Sequence, residues 1–299
     1  MFASGTKVVL FDPQAKYIPN INPANPGKMM DCSTNQGKRL VESLPELFSQ
    51  MKIWNNSMDG HNFNGTLFRF ALRTKKQAET SKLSNQSHTL EHMTKLLQEM
   101  AEVASSMLIF LKHVEIIELY HWSAKDQDPI LLHRTKISNV TAKLRQKRAF
   151  MLNHGSEKES IKNARFKPVA VDYFMDIENS ANCVVKQSED GKKITEITKA
   201  SNVSFEKWVI CNQYGGGNAS IMAKDPALAH MKLIPWAGVA ARLNPCVEVD
   251  EGKAYCFLPL PVKTLLPVHV NGYFELSSNR RDVWWGDDMA GDGRARASW

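Results

Sequence analysis

Apolar residues recur at three- and four-residue spacing between Thr89 and about Val114: Leu90, Met93, Leu97, Met100, Ala104, Met107, Leu108 and Leu111. That period is one face of an amphipathic helix, and Ser87 stands where its N-cap would be. Elsewhere the apolar runs are short. Val8-Val9-Leu10-Phe11, stopped by Asp12-Pro13, predicts a strand close to the first residue. With no earlier element to pair with, that strand implies a missing upstream portion. Residues 14 to 37, rich in Pro, Asn and Gly, predict a long loop, and Arg39 to Met51 a short helix interrupted at Pro45.

Asn64 to Arg73 alternates as a strand, with Leu67 and Arg69 on one face and Thr66, Phe68, Phe70 and Leu72 on the other. Glu115 to Trp122 and Ile130 to Ile137 predict two strands joined by a turn-forming loop at 124–129. A basic helix over about 140–152 and a polar linker over 153–162 follow. Strand-like runs then occupy 169–177, 183–187, 194–198, 205–211, 238–243, 254–258 and 268–276, with one helix at about 225–231. The pattern is α+β with a mostly antiparallel sheet and a long helix.

Composition narrows the class without naming an activity. The 299 residues are 43% hydrophobic and 23% charged, as in a globular protein of one or two domains. No apolar run reaches the roughly 18 residues of a membrane helix, and the first residues lack the pattern of a signal peptide. The five cysteines, Cys32, Cys183, Cys211, Cys246 and Cys256, have no CxxC pair or metal-ligand spacing, so they read as reduced thiols of a cytoplasmic protein. The sequons at Asn55, Asn64, Asn85, Asn139, Asn202 and Asn218 then read as coincidence. A net charge of +7 is spread along the chain; its densest cluster, Lys143, Arg145, Lys147 and Arg148, reads as a solvated helix face and not as a nucleic-acid footprint.

Few motifs suggest chemistry. His88 and His92 have the i, i+4 spacing of a zinc helix but no adjacent glutamate or third ligand, so no metal is expected. Tyr214-Gly215-Gly216-Gly217-Asn218 precedes a possible helix but lacks both phosphate-loop patterns, and reads as a turn. Asp288 to Gly293 superficially resembles a calcium loop, but Ala290 and Trp299 occupy ligand positions. The richest stretch is Gly272 to Gly293, where a half-buried strand runs into Ser277, Ser278, Asn279, Arg280 and Arg281, then a Trp pair and an acidic, Gly-containing tail. Adjacent arginines at a strand mouth suit an anion or phosphate; pairing with Asp282, Asp287 or Asp288 would instead lock a loop.

Phe11-Asp12-Pro13, Gly65-Thr66-Leu67-Phe68-Arg69, Gly238-Val239-Ala240 and above all Gly272 to Gly293 resemble the repeat module of the sacsin family. The resemblance covers essentially the whole chain. It implies kinship with the ninety-kilodalton heat-shock chaperones and the GHKL ATPase group: residues 1–80 as the end of an ATPase-like domain and 81–299 as a chaperone middle-like region. It further implies that Thr66 matches a threonine contacting adenine through water, and that Arg280 or Arg281 matches the arginine reaching a γ-phosphate. The glutamate, asparagine and Asp-x-Gly-x-Gly turn of that group do not occur here, so the chain is expected to be a fragment lacking its nucleotide-binding half. No cofactor is then expected for this chain, with ATP and Mg only in a complete module. The function implied is a chaperone-like module in protein folding and quality control, partnered by client proteins or other chaperones and not by nucleic acid or membrane. A non-catalytic protein-interaction scaffold is the alternative.

Overall fold

The computed structural model describes residues 1–43, 62–122, 128–150, 168–187, 194–245, 252–277 and Val283. The chain forms two compact units, one mainly from residues 1–96 and the other mainly from Leu97 onward.

In the first unit, β1 (Phe2–Gly5), β2 (Lys7–Phe11), β3 (Gly27–Asp31) and β4 (Phe63–Phe68) form an antiparallel sheet in the order β3-β2-β1-β4. The strand at Val8 therefore does have an earlier partner. Phe2 to Gly5 is too short and mixed to register as an apolar run, yet Gly5, at φ +56°, turns the chain back so that Phe2 pairs with Val9. The expected loop over 14–37 likewise contains β3 and the start of α1 (Asn35–Ser43). Pro45 lies outside the described residues.

Asp12 explains how the chain leaves β2. Its carboxylate accepts N–H bonds from Gln14, Lys16, Tyr17 and Ile18, wrapping the following turn around one buried charge. Those bonds, led by that from Tyr17, hold its carboxyl below the usual carboxylate range. On the covered sheet face Ala3, Val8, Cys32 and Phe63 are buried, with Met30, Val41 and Leu67 packed against them. Gly37 lets α1 approach closely: a Cβ there would stand 2.1 Å from the Asp31 carbonyl oxygen. A short helix, α2 (Lys75–Glu79), begins with a Thr74/Gln77 capping box.

The long helix, α3, runs Leu90–Leu108. Its start lies two residues later than Ser87 implies, because the Thr89 hydroxyl accepts the His92 N–H at 3.3 Å. In the second unit, β5 (Ile116–His121), β6 (Ile130–Ile137), β7 (Val169–Gln187), β8 (Ile194–Tyr214), β9 (Trp236–Asn244), β10 (Lys253–Cys256), β11 (Leu258–Lys263) and β12 (His269–Gly272) form an eight-stranded sheet in the order β11-β10-β12-β9-β8-β7-β6-β5. The β10–β12 pair is parallel, and β6 to β9 pair antiparallel in succession.

Four expected short strands are thus two long ones. Backbone pairing between β7 and β8 continues through polar positions such as Asn179, Ser180, Asn202 and Ser204, where the apolar pattern lapses. The expected run over 254–258 splits at Phe257, and β11 was hidden by Pro259 and Pro261, which a sheet edge tolerates. Alternate residues Tyr173, Met175, Ile177, Trp208, Ile210, Ala240 and Tyr255 form the core with Leu108, Ile109 and Phe110.

Helix α4 (Ala142–Arg148) corrects the reading of the basic cluster as one solvated face. Arg145 makes a two-pronged bond to Glu115 at 2.7 and 3.0 Å, and the Lys147 ammonium donates to the Asp172 carbonyl at 2.6 Å. Arg148 is buried, donating to the Leu111 and Val114 carbonyls beyond α3. No helix among the described residues is long and apolar enough to cross a membrane.

Candidate functional site

The β4 alternation places Leu67 towards the covered core and Thr66 and Phe68 on the opposite, open face. Antiparallel register then sets residues from all four strands in one row, Phe68, Phe2, Val9 and Met29. Phe68 is 62% exposed, Met29 70%, and Phe11, two residues beyond Val9, 61%. The Phe2 and Phe68 rings lie 5.1 Å apart, and Phe70, 81% exposed, stacks on Phe68 at 6.4 Å. At strand spacing the row is about 14 Å long. Next to it Lys7 and Asp31 form an ion pair, so that part of the rim is balanced in charge.

Thr66 belongs to this open face, pairing in register with Ser4. The Ser4 hydroxyl donates to the Gly65 carbonyl at 2.9 Å and lies 3.3 Å from the Thr66 hydroxyl. Thr66 is exposed, and the Ser4 and Thr66 hydroxyls with the neighbouring aromatic rings do not make an adenine pocket or a phosphate cradle. The described residues at this position do not by themselves fit a nucleotide. Arg280 and Arg281 lie outside the described residues, as does most of the acidic tail; Leu276 and Val283, on either side of 278–282, pair antiparallel.

The glycine run occupies the second unit. Gly215, Gly216 and Gly217 take φ of 78°, 112° and 54° and lead into α5 (Gly217–Lys224). Two of its amides are already engaged, Gly215 N–H with the Pro235 carbonyl and Gly216 N–H with the Ser220 hydroxyl. The run is a turn. His88 and His92 are both exposed, and no group of three metal-ligating side chains occurs among the described residues.

The second unit also contains two cavities, the first lined partly by the glycine run and by Gly238 and Gly272. One, of about 470 Å³, is mostly apolar and is lined by Cys211, Ala237, Val239, Val270 and Phe274 beside the glycine turn. The other, of about 450 Å³, lies among Ser106 of α3, Trp208, Arg242, Lys253, Tyr255, Lys263 and His269. The His269 ring stacks on Trp208 at 5.3 Å and meets the Tyr255 ring, tilted, at 5.1 Å. Burial pushes the Tyr255 phenol well above its usual range, so it remains protonated.

Residues 1–134, which include the whole four-stranded sheet and α3, match the family model described as Sacsin domain. Human Sacsin is 28% identical over 310 residues, an alignment covering 100% of this chain. The chain is thus similar to a sacsin module. It spans about 6% of the length of the curated relative it matches. No solved structure matches. Within the sacsin-like module, sequence reasoning found Phe68 and Phe70 through the β4 alternation but missed Phe2 and Met29. Only the register of β1, β2 and β3 places those two beside them.

Proposed function

We propose that this sacsin-like module is a chaperone-like element that holds client proteins in folding and quality control. The row Phe68, Phe2, Val9 and Met29, extended by Phe11 and Phe70, supports this reading most directly. Large apolar side chains lying open and contiguous on a sheet favour an apolar partner surface. The occupant that fits is an extended apolar segment of a non-native polypeptide. It would exchange water-exposed rings for buried ones at about 25 cal/mol per Å² of apolar area. In this reading the setting is cytoplasmic, in keeping with Cys32, Cys211 and Cys256 as thiols. The architecture descends from the end of a GHKL-type ATPase domain followed by a chaperone middle-like region. Arg280 or Arg281 meets a γ-phosphate, with Thr66 near the adenine, only in a complete module supplied with ATP and Mg.

The test is suppression of aggregation of a heat-labile protein by the full chain, compared with Phe68→Ser/Phe70→Ser. Both rings are exposed, so the variant should keep its circular dichroism spectrum while losing most of its protection. Equal protection by the variant would refute the assignment of the surface. Stable complexes without protection would favour the scaffold alternative.

A further inference from the structure

The polar cavity of the second unit has an unusual charge arrangement. Lys253 of β10 and Lys263 of β11 stand directly opposite in the strand register, and both line the cavity. Like charges directly across a strand pair repel and destabilise it. Among the described residues neither lysine has an ion-pair partner. Arg242 adds a third cation to the lining, its guanidinium 5.9 Å from the Trp208 ring centre.

Two carboxylates also line this space, but they differ. Glu206 is occupied through both oxygens, accepting from Trp208 Nε1 at 2.8 Å and Asn179 Nδ2 at 3.1 Å. Glu102 is exposed on α3. Two of the remaining polar groups, His269 and Tyr255, carry a ring or phenol proton on this lining. His269 Nδ1 accepts the Lys253 backbone N–H at 3.1 Å, which leaves the neutral ring's proton on Nε2. The protonated Tyr255 adds a hydroxyl, whereas the Ser106 hydroxyl already donates to the Val103 carbonyl at 2.8 Å.

Backbone packing builds the wall around these groups. A Cβ on Gly252 would lie 2.1 Å from the Leu266 carbonyl oxygen and 2.4 Å from both Thr264 Oγ1 and the Val268 carbonyl oxygen. The 264–268 turn closes on that glycine through the bonds Gly252 N–H to Leu266 O and Thr264 N–H to Gly252 O. Pro267, within that turn, joins the lining.

We propose that this cavity binds a small phosphoryl-bearing anion, held between Lys253, Lys263 and Arg242. A dianionic group there neutralises the facing lysines and meets several donors at once. The proposal is independent of the client-holding surface, which belongs to the other unit.

The full chain is titrated with inorganic phosphate and with pyrophosphate by calorimetry and thermal melting, against chloride at matched ionic strength. Saturable binding with a rise in melting temperature is expected. Lys253→Gln/Lys263→Gln should weaken it by about tenfold or more, the worth of one lost hydrogen bond to a charged group. Lys75→Gln/Lys143→Gln, which removes the same charge from exposed sites elsewhere, should change it less than about twofold. No saturable binding by the unmodified chain would overturn the proposal. So would unchanged binding by the cavity variant, or equal loss in the control variant. Should the double variant fail to fold, Lys263→Gln alone decides, since that side chain lies at the exposed rim.

Discussion

Replacing Arg148 by Met tests whether a buried charge in α4 holds the chain beyond α3. The side chain is 4% exposed, and one of its terminal nitrogens donates to both the Leu111 and Val114 carbonyls, the latter at 2.7 Å. Its Nε and other terminal nitrogen have no partner among the described residues, and burial lowers its pKa from the usual arginine value. Met keeps an apolar stem of similar reach but donates nothing. Two bonds from a charged donor contribute about 1.5–3 kcal/mol each, while removing the guanidinium relieves a desolvation cost of several kcal/mol. The decisive asymmetry is that two carbonyls are left without their donor, at about 1–3 kcal/mol apiece. The expected net loss is about 2–3 kcal/mol, or roughly 4–12 °C in the melting of a unit of this size. Because the chain has two units, a single denaturation curve does not isolate the effect. Hydrogen exchange followed over peptides spanning 105–120 does. Arg148→Met should accelerate exchange there while the 2–11 strands stay protected. Equal or slower exchange in the variant would show that relief of desolvation outweighs the carbonyl bonds, and the reasoning would be refuted.

Two other predictions concern the first unit. Gly37→Ala would gain about 1 kcal/mol from helix propensity in open solvent, but here its Cβ meets the Asp31 carbonyl oxygen at 2.1 Å, so a net destabilisation of about 1–3 kcal/mol is expected. Limited proteolysis of residues 1–96 measures it, and a more resistant variant would count against the close approach. For Asp12 the folded pKa is depressed, so its contribution is present above the unfolded value near 4 and is lost as pH falls through the folded value. Exchange protection of Gln14, Lys16, Tyr17 and Ile18 should fall on acidification, and Asp12→Asn should flatten that dependence at those amides; an unchanged acid profile would exclude Asp12 as its source.

The linear pattern was legible where one element satisfies its own periodicity. The α3 face from Met93 to Leu108, the stop after Phe11 and the two faces of β4 all follow from side-chain spacing, which is local. It could not show that Phe2 lies beside Phe68, because sequence distance is bridged only by hydrogen-bond register. Nor could it show the polar centre of the β7–β8 ribbon, where backbone pairing continues through residues whose side chains give no apolar signal. The same limit hid the cavity: Lys253, Lys263, Arg242 and His269 lie on different strands and converge only after those strands pair.

The sequence by itself determined the α+β class, the long helix, the alternating faces and the sacsin resemblance of Gly272 to Gly293. Those features depend on neighbouring residues or on runs of rare ones. Tertiary structure alone decided which side of each strand was covered. It turned the basic run of α4 into one buried carbonyl clamp, one ion pair and one backbone contact. It also set Thr66 beside Ser4 on the open face of the first sheet. Burial and charge pairing are properties of what lies across the gap, and spacing along a chain does not contain them.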